Sequence, residues 1–167
     1  LPVGLGIFLA RRFKVGWRLW WIGAATFVLS QVGHIPFNIL LTQLFQRDIL
    51  PAPPDQWALP FNALVLGLSA GLWEELFRYG AFRWPAKDAR TWSKALMLGA
   101  GHGGIEAIIL GVLALLTYVS MLFARGVDLT GLVPPAQQAL AQQQIQAYWN
   151  MPWYMSLMGA LERLFAI

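Results

Sequence analysis

After Lys94, the segment Ser93–Ala124 holds one carboxylate, Glu106, and one histidine, His102, in an otherwise almost wholly apolar run. A run of this length exceeds the ~20 residues needed to cross a bilayer core. Hydrocarbon offers no water to its backbone, so it must fold as a helix that satisfies its own N–H and C=O groups. Trp17–Phe45 and Ala58–Phe82 are further stretches of spanning length. Leu1–Ala10 reads as the tail of a preceding span, and Pro152–Ile167 as the start of a later one. The chain lacks a starting Met and the charged leading region of a signal peptide. The expectation is all-α: a polytopic transmembrane helix bundle with four to five spans. Residues 1–167 form a single transmembrane domain, truncated at both ends.

Composition supports an integral membrane protein. Of 167 residues 57% are hydrophobic and 12% charged, against about 25% charged in an average soluble domain. Mean hydropathy is +0.53. With no cysteine, neither a disulfide nor a thiolate metal site can form. The net charge of +4 does not point to nucleic acid, because the basic residues fall in short clusters between apolar runs. Arg11, Arg12, Lys14 and Arg18 make one cluster; Arg83, Lys87, Arg90 and Lys94 make another. The Leu50–Asp55 turn and the Arg125–Asn150 connection carry little positive charge. This alternation places the two basic loops in the cytoplasm. Trp17, Trp20, Trp21, Trp84 and Trp92 mark that interface, and Trp57, Trp149 and Trp153 the opposite one. Pro134–Ile145 reads as a weakly amphipathic, uncharged helix, either on the outer interface or solvated.

Against this background Glu74-Glu75-Leu76-Phe77-Arg78 stands in the wrong solvent. Each charge at bilayer depth costs about 2.5–3.5 kcal/mol on insertion scales. Glu74 and Arg78 are four residues apart, Glu75 and Arg78 three, so both pairs share a helix face. Glu75 and His102 lie equally far from the basic loop that joins their spans, at a depth of roughly 12 Å at 1.5 Å per residue. Gly101, Gly103 and Gly104 around His102, and Gly67 and Gly71 on the third span, admit close helix approach. His34 and Asn38 share a face beside a proline kink at Pro36. Glu162 and Arg163 sit in the last span. Structural readings compete throughout: a register-fixing ion pair for Glu74, Glu75 and Arg78, a hydrogen-bonded pair for His102 and Glu106, and kink support for His34 and Asn38.

Two carboxylates near a histidine can hold and deprotonate a water molecule, an arginine keeps a carboxylate ionised, and Glu and His are zinc ligands. No His-Glu-x-x-His motif is present. Glu74-Glu75-Leu76-Phe77-Arg78-Tyr79, followed by Gly99-Ala100-Gly101-His102-Gly103-Gly104-Ile105-Glu106-Ala107, resembles the YhfC family of intramembrane peptidases. It is similar also to the wider CAAX-protease and bacteriocin-processing (CPBP, or ABI) superfamily. That resemblance implies a CAAX-protease-like bundle in a bacterial or archaeal plasma membrane. Glu74 would be the general base, Glu75 would assist it or be oriented by Arg78, and His102 would bind the water or polarise the scissile carbonyl. Glu106 would support the site or act as a ligand. A zinc or other divalent ion, if bound, would draw on Glu75, His102 and Glu106. His34, Asn38 and Glu162 would contact substrate.

The leading expectation is an intramembrane peptidase that hydrolyses a membrane-associated protein or peptide with glutamate-activated water. The alternatives are a non-catalytic scaffold or immunity-type protein that uses the polar cluster for helix pairing, and a proton- or ion-coupled carrier using Glu75, His102 and Glu106. The arginine and the lack of internal repeats fit the carrier poorly.

Overall fold

The computed structural model describes residues 1–166; Ile167 and the side chains of residues 163–166 lie outside the described residues. Among the described residues every regular element is helical. The order is α1 (Pro2–Phe13), α2 (Trp17–Gln46), α3 (Asp55–Arg83), α4 (Trp92–Ala124), α5 (Pro135–Trp149) and α6 (Trp153–Ala166). Length and apolarity together mark α2 and α4 as able to cross a membrane. At 29 residues α3 is also long enough to span, and it carries the charged run. α1 and α6, with 12 and 14 residues, are shorter than a bilayer core requires.

The helices start and stop where local chemistry allows. α1 ends at Lys14, whose left-handed φ of 53° breaks the hydrogen-bond ladder. α3 follows Pro51–Pro54 and begins with Asp55, a carboxylate placed against the positive end of the helix dipole. Pro135 opens α5, where its missing N–H is no loss. Pro36 and Pro60 sit inside α2 and α3, each removing one backbone donor.

The chain divides into two compact units, Leu1–Glu106 and Ala107–Ile167, with the boundary inside α4. In the first unit α2 is the hub. It meets α4 at a glycine crossing: a Cβ on Gly23 would collide with the Leu98 carbonyl, and one on Gly101 with the Trp20 carbonyl. Gly33 gives the same closeness to α3, because the Trp73 ring lies directly over it. Gly67 and Gly71, expected to serve helix approach, face open space instead. The core around the crossing is Leu19, Trp20, Ala24, Met97, Leu98 and Ala100.

The basic loop ties three helix ends together. Asp88 accepts from Arg18 Nη1 at 3.3 Å and from Lys94 Nζ at 3.4 Å, and Arg18 also donates to the Pro85 carbonyl. Arg90 donates to the Phe82 carbonyl at 3.0 Å. In the second unit, Tyr118 and Trp149 rings lie 6.3 Å apart and the Arg125 guanidinium stands 4.7 Å above Trp149. Thr130 N–H donates to Asp128 at 2.9 Å.

Two outcomes are expected. Gly23→Ala and Gly101→Ala lower the melting temperature in detergent, whereas Gly67→Ala and Gly71→Ala raise stability by up to about 1 kcal/mol each, the helix-propensity difference. The Arg18 guanidinium holds the Asp88 carboxyl below its ordinary value. A carboxyl depressed in the folded state stabilises above its unfolded pKa, near 4, and that contribution fades as pH falls through the folded value. Thermal melts between pH 7 and pH 3 therefore show an acid-dependent loss that Asp88→Asn reduces.

Candidate active site

The charged run lies on α3 facing α2 and the first half of α4. Arg78 Nη2 is shared by two carboxylates, 2.6 Å from Glu75 Oε1 and 3.5 Å from Glu74 Oε2. The two glutamates differ in setting. The Glu75 side chain is 72% exposed and turned outward, whereas Glu74 is 25% exposed and turned toward α4. There its Oε2 lies 3.5 Å from Nε2 of buried His102. The depth match between the two helices thus brings Glu74, rather than its neighbour, to the histidine.

The state of the His102 ring follows from Thr26. The Thr26 hydroxyl is 2.6 Å from the Gly23 carbonyl and 2.8 Å from His102 Nδ1. A carbonyl only accepts, so the single hydroxyl proton goes to Gly23. Thr26 then accepts from His102, which fixes the proton on Nδ1. Nε2 has no hydrogen-bond partner, although it is buried and beside Glu74. In the neutral ring this tautomer aims the Nε2 lone pair at a carboxylate oxygen. Two acceptors facing each other in a buried place call for something between them, either a donor such as water or a cation. Phe27 packs edge-on to the imidazole at 5.5 Å and limits its rotation.

This arrangement suits a divalent ion in part. An imidazole with Nδ1–H held by a neighbour and Nε2 free is the form that ligates metals, and Glu74 supplies an oxygen donor beside it. Among the described residues, however, no group of three or more His, Asp or Glu side chains gathers as a metal cluster. Glu75, His102 and Glu106 are therefore not brought together as one ligand set. Glu106 is half-buried, one turn beyond His102 on α4.

His34 and Asn38 form a separate polar cluster between α2 and α3. Asn38 Nδ2 lies 2.7 Å from His34 Nε2, which is also 3.1 Å from Ser69 Oγ. Ser69 Oγ in turn is 2.9 Å from Asn38 Oδ1. Glu162 is an exposed residue of α6, in the second unit. A groove of about 590 Å³ between α2 and α3 runs beside the site, lined by Ile22, Thr26, Leu29, Trp73, Phe77 and Trp84 among others. Sequence reasoning missed Thr26 and Ser69. Their signal was a small hydroxyl in an apolar span, within helical reach of an interior histidine.

A model of the family described as YhfC intramembrane metalloprotease matches residues 1–167. The membrane protein YhfC of Bacillus subtilis (strain 168) is 30% identical over 173 residues, which cover 100% of this chain and 64% of the relative. The chain thus spans less than two-thirds of that curated relative's length. No solved structure matches.

Thr26→Val should leave the His102 N–H without its acceptor and destabilise the protein by about 1–3 kcal/mol, the cost of an unmade buried hydrogen bond. Thr26→Ser should retain most of the stability. Nitrogen NMR of labelled histidine should show the Nδ1–H form in the wild type and in Thr26→Ser, and a changed tautomer population in Thr26→Val.

Proposed function

The chain belongs to the YhfC intramembrane metalloprotease family, and from that premise we propose that it is a membrane-embedded peptidase in which Glu74 and His102 activate water. The supporting observation is the facing pair of acceptors, Glu74 Oε2 and His102 Nε2, 3.5 Å apart at one depth on adjacent helices. A water placed there donates to both. Glu74 is the general base: it takes the water proton as the oxygen attacks the scissile carbonyl, then passes that proton to the departing amine. Arg78 Nη2 stands 3.5 Å from Glu74 Oε2 and helps to fix the position of that carboxylate. Glu75, bonded to the same guanidinium and largely exposed, orients Arg78 rather than the water.

Of the two roles implied for His102, holding water fits better than polarising a carbonyl, since a lone pair at Nε2 cannot donate. The same lone pair and the Glu74 carboxylate are the atoms that would hold a divalent ion. Such an ion supplies Lewis-acid polarisation and lowers the pKa of a bound water. Thr26 serves either case by keeping the proton on Nδ1. The apolar groove past Thr26 suits a membrane-embedded peptide substrate. His34, Asn38 and Glu162 remain proposed substrate contacts.

Glu74→Gln should lower peptide hydrolysis by about 10²–10⁴-fold, the usual worth of a general base, while the protein still inserts and melts cooperatively. Glu75→Gln should lose much less. Full cleavage by purified Glu74→Gln would sink the mechanism. A sharp drop in its melting temperature, with no peptidase activity in the wild type, would favour the helix-pairing scaffold.

A further inference from the structure

From its middle to its end, α2 carries a polar side chain at every fourth position: Thr26, Ser30, His34, Asn38, Thr42 and Gln46. Each is expensive to bury in a bilayer unless it meets a partner or water. Four residues overshoot one helical turn by about 40°, so the line is continuous and winds around the helix. It starts on the α4 side, where Thr26 holds His102, and reaches the α3 side, where His34 and Asn38 meet Ser69. Helix packing explains the inner members. The outer ones lie on open space: Thr42 is exposed and donates to the Asn38 carbonyl at 2.9 Å.

That space has a shape. A cavity of about 460 Å³ between α2 and α3 extends from Pro53 and Asp55 down to Asn38, with Thr42, Gln46 and Asn62 on its walls. A second space, of about 520 Å³, is an open groove along α2 alone that shares Asn38, Thr42 and Gln46 and continues past His34 and Gln31. Leu41, Phe45, Phe61, Val65 and Leu66 make up much of the rest of the first cavity's wall, and Asn38, Thr42, Gln46, Asp55 and Asn62 are the groups in it that can hold water. The groove nearer the basic loop, by contrast, is walled by Ile22, Leu29, Trp73, Phe77 and Trp84, and Thr26 is its polar point.

We propose that the polar line is the water supply of the hydrolytic site. Water fills the vestibule from the Pro51–Pro54 face down to Asn38, His34 and Ser69, and Ser30 and Thr26 pass it on to Glu74 and His102. Hydrolysis consumes one water per bond cleaved, so a site set in hydrocarbon needs such a route. The link to turnover rests on the peptidase reading; the vestibule itself does not.

The absence of cysteine makes a direct test possible. Single variants Thr42→Cys and Asn62→Cys, on facing walls, are compared in proteoliposomes with Leu40→Cys and Leu64→Cys on the exposed apolar surface. The probe is a charged methanethiosulfonate reagent added to both faces. The vestibule cysteines should react about tenfold faster or more, because only a hydrated thiol ionises. Equal rates at Thr42→Cys and Leu40→Cys would overturn the vestibule, whatever Glu74→Gln does to hydrolysis. Ser30→Ala should lower kcat with KM unchanged and leave Thr42→Cys labelling as it was. Unaltered turnover in Ser30→Ala would overturn the connection between vestibule and site.

Discussion

The glycine crossing of α2 and α4 is the contact on which the site depends. Gly23 and Gly101 let two backbones approach until each glycine faces a carbonyl of the other helix. Any side chain at either position would push the helices apart. His102 lies one residue beyond Gly101, and Thr26 three beyond Gly23, so the same approach that removes two Cβ atoms sets the hydroxyl against the imidazole. Small residues rather than greasy ones make this possible, as expected where lipid competes equally for apolar surface and packing distance decides.

Once α4 is set, one proton organises the chemistry. Thr26 gives its proton to its own helix and must accept from the ring, and the ring then presents a lone pair to Glu74. Arg78 bridges two carboxylates of very different exposure, so one guanidinium compensates both an inward charge and an outward one. The chain belongs to a metalloprotease family, and Glu74 Oε2 and His102 Nε2 face each other at 3.5 Å, although the described residues bring no third ligand beside them.

Much of this was legible in the sequence for a simple reason: a bilayer punishes polar residues, so those that persist are informative. The long helices were readable to within a few residues because apolar runs end at basic clusters, prolines or the Lys14 turn. The meeting of α3 and α4 was readable from the short basic loop that joins them and from the matching depth of their polar residues. Which glutamate would face His102 was not, because Glu74 and Glu75 are a hundred degrees apart on the helix and only packing selects between them. Gly67 and Gly71 misled for the same reason: spacing identifies small residues but not the face that meets a neighbour. Thr26 was hidden because a threonine in a membrane helix ordinarily satisfies itself on its own backbone, as it also does here.

The charged run has a consequence for how the chain enters the membrane. α3 is the least apolar of the three long helices, and its charges oppose its insertion as an isolated segment. α2 packs closely against it, with Gly33 beneath Trp73 and His34 and Asn38 around Ser69. The Pro51–Pro54 turn between them is short enough to fold the two into a hairpin before either is released to lipid. Insertion of α2 and α3 as a pair would carry Glu74, Glu75 and Arg78 into the bilayer beside the helix that precedes them.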